Sequence, residues 1–82
     1  EFWASWCNVC YEKNCNELLP IYDKYKNDGF EIYAISLDEN RFQWEYGIER
    51  DQLPWIQVSD LKGFDSPVSQ KWGVNSTYTT FL

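Results

Sequence analysis

An α/β fold around a mostly parallel sheet is the architecture this sequence predicts, and three observations predict it. Strand-like and helix-like segments alternate along the chain, as a sheet flanked by helices requires. One run, Phe30 to Leu37 (Phe-Glu-Ile-Tyr-Ala-Ile-Ser-Leu), is rich in strand formers and nearly all apolar from Ile32, which suits a central strand covered on both faces. The chain has 82 residues, 44% hydrophobic and 20% aromatic, which allows one small core and excludes a disordered tail.

The elements follow in order. Phe2-Trp3-Ala4-Ser5-Trp6 is a short apolar run that stops at a cysteine and reads as a buried strand. From Tyr11 the period changes: Tyr11, Cys15, Leu18, Leu19, Tyr22 and Tyr25 make one stripe of an amphipathic helix, with Lys13, Asn16, Asp23, Lys24 and Asn27 largely off it. Pro20 lies inside this pattern and predicts a kink, because it removes an amide donor and crowds the carbonyl of Asn16. Asn27-Asp28-Gly29 is a helix stop, and the strand Phe30–Leu37 follows, punctuated by Asp38-Glu39-Asn40. Phe42, Trp44, Tyr46 and Ile48 alternate, which by pattern alone argues strand. The acidic start and the position after a buried strand predict a helix instead. Leu53-Pro54 breaks the chain before a short strand, Trp55-Ile56-Gln57-Val58. Ser66 as cap and Pro67 at the first helical position open a short helix that Gly73 ends. Thr79-Thr80-Phe81-Leu82 begins a last strand.

Composition excludes several functions. Seven Lys and Arg against thirteen Asp and Glu give a formal charge of −6, whereas a nucleic-acid footprint would be basic and clustered. No apolar run approaches the ~18 residues of a membrane span, so any membrane anchor would lie outside this segment. Three cysteines and no histidine leave no His general base and no ordinary four-ligand zinc site within the chain. No cofactor is implied. Cys7, Cys10 and Cys15 are too few and too clustered for a disulfide scaffold, so redox is the cysteine chemistry left.

Trp6-Cys7-Asn8-Val9-Cys10 falls at the junction of the first strand and the first helix, where open α/β sheets place their chemistry. Residues three apart in a first helical turn bring two thiols within bridging distance. The helix N-terminus favours negative charge, which lowers the pKa of the leading cysteine and raises its thiolate fraction. A two-step exchange follows, in which Cys7 attacks a disulfide and Cys10 resolves the intermediate. Two other readings of the pair stay open: a metal or iron–sulfur site shared across a dimer, and a pair of inert core thiols. Cys15 sits about 140° around the helix from Cys10 at ~100° per residue and reads as core filler.

Phe2-Trp3-Ala4-Ser5-Trp6-Cys7-x-x-Cys10, Gly29 to Asp38, Leu53-Pro54-Trp55 and Thr79-Thr80-Phe81-Leu82, in that order, resemble the thioredoxin superfamily. Within it they are most similar to the TlpA/ResA-like thiol-disulfide oxidoreductases of the bacterial cell envelope. A tryparedoxin- or nucleoredoxin-like module shares the opening motif. The resemblance implies a thioredoxin fold, reduction of protein disulfides with a thiol electron donor, and a place in the cell envelope or periplasm, with the cytoplasm as the alternative. It makes Cys7 the nucleophile and Cys10 the resolving thiol. Trp6 would shield the pair and shape the contact surface, against the simpler reading of Trp3 and Trp6 as core aromatics. Glu1 falls where thioredoxins carry a buried acid that takes the proton of the second cysteine, its pKa raised by burial; an exposed chain end is the other reading. Thr77 and Tyr78 occupy the loop that pairs its backbone with substrate.

The sequence also departs from the family pattern. Tyr78 stands where a cis-proline is usual, and since a cis bond before a non-proline costs ~3 kcal/mol, a trans peptide is expected. That change points either to altered substrate choice or to a redox-silent thioredoxin-like binding module. Asn8-Val9 replaces the common Gly-Pro, and the Arg-x-Glu-x-Pro run after the second cysteine is missing, with Pro20 supplying a kink elsewhere. Residues 1–82 are expected to be a single thioredoxin-like domain, a fragment without the final antiparallel strand and terminal helix. The bare sheet edge would then need a tail or another chain to complete it.

Overall fold

The computed structural model describes residues 1–81, and its centre is a parallel sheet in the order β1 (Phe2–Trp3), β2 (Tyr33–Ser36), β3 (Ile56–Val58). Phe2 pairs with Ile35 and Trp3 with Ser36; Tyr33, Ala34 and Ile35 pair with Ile56, Gln57 and Val58. On its other side Phe2 makes an antiparallel bridge to Thr79, donating to its carbonyl at 2.8 Å and accepting from its amide at 3.2 Å. The last strand expected from the sequence is thus a bridge at Thr79, and Leu82 lies outside the described residues. Two adjacent parallel pairs, each joined through a helix, are the α/β arrangement that the alternation predicted.

The first strand is shorter than its apolar run. The amide of Cys7 turns back to donate to the carbonyl of Ala4 at 3.2 Å, so Ser5 and Trp6 form a turn instead of extending β1. The chain then winds without interruption through α1 (Asn8–Lys13), a π-helical segment (Asn14–Leu18), α2 (Leu19–Tyr25) and a 3-10 turn (Lys26–Asp28), ending at Gly29 with φ of 92°. Pro20 does not interrupt this helix. The turn before it widens, the amide of Leu19 reaching back to the carbonyl of Asn14, and Pro20 falls in the first turn of α2.

The widening also rotates the inner face. Cys10 and Asn14 are buried and Leu18 and Tyr22 half-buried, a spacing of four, whereas Tyr11 and Tyr25 of the expected stripe are exposed. A regular helix of 3.6 residues per turn would swing such a line about 40° at each step, and a wider turn reduces that swing.

The remaining elements follow their local chemistry. Asn40 caps α3 (Arg41–Asp51), its side chain accepting from the amide of Gln43 at 3.0 Å. The aromatic alternation resolves into two faces: Phe42 and Tyr46 point outward, while Trp44 and Ile48 pack against the core. Ser66 precedes α4 (Pro67–Lys71), but its hydroxyl is turned to donate to Asp60 at 2.6 Å, and in that orientation its oxygen accepts no helix amide.

Trp3, Ala34, Leu37, Leu53 and Trp55 form the centre of the core, with Tyr22 edge-on to Trp55 at 5.5 Å. β2 is covered on one face only: Ala34 and Ser36 are buried, whereas Tyr33 is exposed and shares with Ile35, Val58 and Val68 an open cleft of about 310 Å³. Among the described residues no helix is long and apolar enough to cross a membrane.

Candidate redox site

The turn at Ser5–Trp6 delivers Cys7 to the start of the long helix in an extended conformation (φ −95°, ψ 109°), the geometry of a cap. Its Sγ accepts a hydrogen bond from the amide of Cys10 at 3.1 Å, one of the amides that a helix start leaves without a backbone partner. The amide of Tyr11 closes the first turn onto the Cys7 carbonyl at 3.1 Å. Cys7 and Cys10 are joined by a disulfide, their Cα atoms 5.2 Å apart. Cys7 keeps 8% of its surface in contact with solvent and Cys10 none, so an outside partner meets Cys7 first. An amide aimed at a sulfur stabilises the thiolate over the thiol once the bond is reduced, and the helix terminus acts in the same direction.

The turn before Cys7 is held from two sides. Asp38, fully buried just beyond β2, accepts the Ser5 amide on both carboxyl oxygens at 3.2 and 3.1 Å and also accepts the hydroxyls of Ser5 and Ser36. From α3, Arg50 Nη2 donates to the Ser5 carbonyl at 3.2 Å, while its Nε and Nη2 bind the buried carboxylate of Asp51 at 2.6 and 3.1 Å. Gly47 is buried where α3 crosses Ser5. The sequence assigns none of these residues a role at the site: Ser5 and Asp38 lie in stretches that resemble the thioredoxin superfamily, and Asp38 otherwise reads as punctuation after a buried strand.

The two tryptophans divide between the readings offered for them. Trp3 is fully buried at the centre of the core, whereas Trp6 is 54% exposed and borders the disulfide. Trp6 shares an open groove of about 460 Å³ with Ser5, Phe42, Gln43, Tyr46 and Arg50, and the Arg50 guanidinium lies over the rings of Tyr11 and Tyr46 at 5.7 and 5.8 Å.

Glu1 is not an exposed end: both carboxyl oxygens are buried, and among the described residues none makes a well-formed hydrogen bond to them, the Trp55 indole being a neighbour without that geometry. Burial pushes its pKa up to about 7, with the Trp55 indole acting the other way. Tyr78 lies with Glu1, Leu18 and Phe30 along a cleft of about 790 Å³. Its phenol is pushed up to about 12 by burial and by the nearby Glu1 and Glu17.

The Thr77–Tyr78 peptide is cis, where the sequence argued for trans; the cost of an isolated peptide says nothing of the pairing that seats the next residue, Thr79, against Phe2. Thr77 is half-buried in the same loop. Cys15 is free and half-buried, its thiol pushed up by burial and by Asp51 and lowered by Arg50. Asn14, one turn beyond Cys10, is fully buried with both polar side-chain atoms unpartnered, a feature the helical stripe did not reveal.

No family model matches the chain. A protein of Geobacillus thermodenitrificans named thiol-disulfide oxidoreductase ResA is 36% identical over 83 residues, covering 99% of this chain and 44% of the relative. One of the same name from Bacillus cereus is 45% identical over 81 residues with the same coverage. The chain thus spans less than half the length of the curated relatives it matches. Among solved structures, a thiol-disulfide oxidoreductase of Bacteroides fragilis superposes with a TM-score of 0.82 at 39% identity, over 93% of this chain and 56% of that one. The thioredoxin domain of a thiol-disulfide oxidoreductase of Bacteroides vulgatus does so with a TM-score of 0.82 at 30% identity, over 93% and 54%.

Proposed function

Since this chain belongs to the thioredoxin superfamily, in its ResA-like thiol-disulfide oxidoreductase group, we propose that it reduces protein disulfides by exchange through the Cys7-Asn8-Val9-Cys10 pair. The Cys7 thiolate attacks one sulfur of the substrate disulfide; a mixed disulfide forms and the other substrate sulfur leaves as a thiolate. Cys10 then attacks the Cys7 sulfur, the second substrate thiolate leaves, and the Cys7–Cys10 disulfide carries the two-electron oxidation. A thiol electron donor restores the dithiol. Glu1 takes the proton that Cys10 must lose before it attacks, a role its buried, unpartnered carboxyl suits. Trp6 and the loop at Thr77 and Tyr78 form the surface on which the substrate chain rests. The location proposed is the bacterial cell envelope.

The observation that carries this reading is the pairing of the two sulfurs at a helix start with the Cys10 amide directed at Cys7. Insulin reduction with a thiol donor tests it. The wild-type protein is expected to turn over, Cys7→Ser to be inactive and Cys10→Ser to accumulate a mixed disulfide. Equal rates for wild type and Cys7→Ser would end the enzymatic reading. A pair that forms but never turns over would favour the redox-silent binding module.

A further inference from the structure

Resting on the exchange chemistry proposed above, we infer that Ser5 and Asp38 form a clamp that positions Cys7 and sets its reactivity, although neither touches a sulfur. Every group within hydrogen-bond reach of the buried Asp38 carboxyl is a donor: the Ser5 amide, the Ser5 hydroxyl and the Ser36 hydroxyl. The Ser5 carbonyl is engaged as well, by Arg50, which the buried Asp51 holds in place. All the hydrogen-bonding groups of Ser5 are therefore tied, two to the end of β2 and one to α3. Cys7 follows two residues later, with its amide returned to Ala4 at 3.2 Å.

The orientation of this turn decides where the Cys7 sulfur lies relative to the Cys10 amide 3.1 Å away. A buried polar cluster is a poor way to gain stability, since well-packed apolar residues often do as well. Fully satisfied, it fixes one geometry. The clamp thus places the sulfur at the helix start from outside the helix. Asp38 and Ser5 are positioning residues, and their effect reaches the chemistry through the thiolate of Cys7.

The test compares Ser5→Ala and Asp38→Asn with Ser36→Ala, which removes the hydroxyl's bond to the same carboxyl and the one it accepts from the Asp38 amide while leaving every group of Ser5 tied. The reduced proteins are alkylated with iodoacetamide across a pH series, equilibrated with glutathione, and melted in parallel. Ser5→Ala and Asp38→Asn are each expected to slow Cys7 alkylation at neutral pH by about tenfold, one unit of upward shift in the thiol midpoint. Both should move the glutathione equilibrium toward the protein disulfide, and the double variant should lose little more than either single one. Ser36→Ala should leave the midpoint unchanged while losing thermal stability. Wild-type midpoints in both Ser5→Ala and Asp38→Asn, with only the melting temperatures lowered, would overturn the proposal. So would an equal midpoint shift in Ser36→Ala. Should Asp38→Asn fail to fold, Ser5→Ala against Ser36→Ala decides alone. Failure of the exchange reading shows separately, as a wild-type protein that does not turn over while its Cys7 midpoint still answers to the clamp.

Discussion

Replacing Gly47 by alanine should destabilise this protein, against the trend of helix propensity. In the middle of a helix, alanine normally gains ~1 kcal/mol over glycine. Here the new Cβ would lie 2.6 Å from Ser5 Cβ, 3.2 Å from Ser5 Cα and 3.5 Å from Trp3 Cη2. Ser5 has no room to retreat, because its amide, hydroxyl and carbonyl are held by Asp38 and Arg50, and the Trp3 ring is fully buried. Overpacking of this kind costs ~1–3 kcal/mol, and contact with a Cβ and backbone, rather than a flexible tip, belongs at the upper end. Setting the propensity gain against it leaves a net loss of about 1–2 kcal/mol. At roughly 4–8 °C per kcal/mol for a domain of this size, the melting temperature should fall by at least about 4 °C. Thermal and urea unfolding of the oxidised protein measure this directly. Placing the same change on Ser5→Gly, which removes the Cβ that is struck, should cost less. A Gly47→Ala protein that melts at or above the wild-type temperature would refute the close contact and the rigidity assigned to the turn.

Three further outcomes are expected. The Glu1 carboxyl is raised from its ordinary 4.5 to about 7, so the folded state holds this proton more tightly than the unfolded chain does. Its contribution to stability is complete below about pH 4.5 and is lost as pH rises through about 7; urea unfolding of Glu1→Gln should show a flatter pH profile across that window and greater stability than wild type above it. Single-turnover kinetics should show the second exchange step accelerating as pH rises through about 7 in wild type, an inflection missing from Glu1→Gln, with Tyr78 and the Trp55 indole as the other groups facing that carboxyl. Trp6→Ala should slow reduction of a protein disulfide at least several-fold and leave reduction of a small aromatic disulfide nearly unchanged, as follows from the contact role proposed for this exposed ring.

The sulfur pair was the most legible feature, because its two requirements, spacing and a helix start, are both local. The helix over Arg41–Asp51 was legible only from context, since its aromatic residues alternate in sequence while occupying two helical faces. The shifted face of the first helix was hidden by the π-helical segment before Pro20, as a stripe drawn at constant period cannot register a wider turn. Asp38 and Ser5 stand 33 positions apart, and a long-range polar tie leaves no periodic trace in either segment. Arg50 reaches Ser5 across 45 positions for the same reason. Tyr33 is exposed although its run is apolar, because a one-sided cover and a two-sided cover share the same strand-forming residues.

Equilibration of the reduced protein against a graded series of glutathione buffers, with thiols trapped by alkylation and counted by mass, tests the exchange chemistry most directly. Cys7 and Cys10 should become protected together in one two-electron transition, while Cys15 remains alkylated throughout. Independent protection of Cys7 and Cys10, or a disulfide that recruits Cys15, would contradict the account.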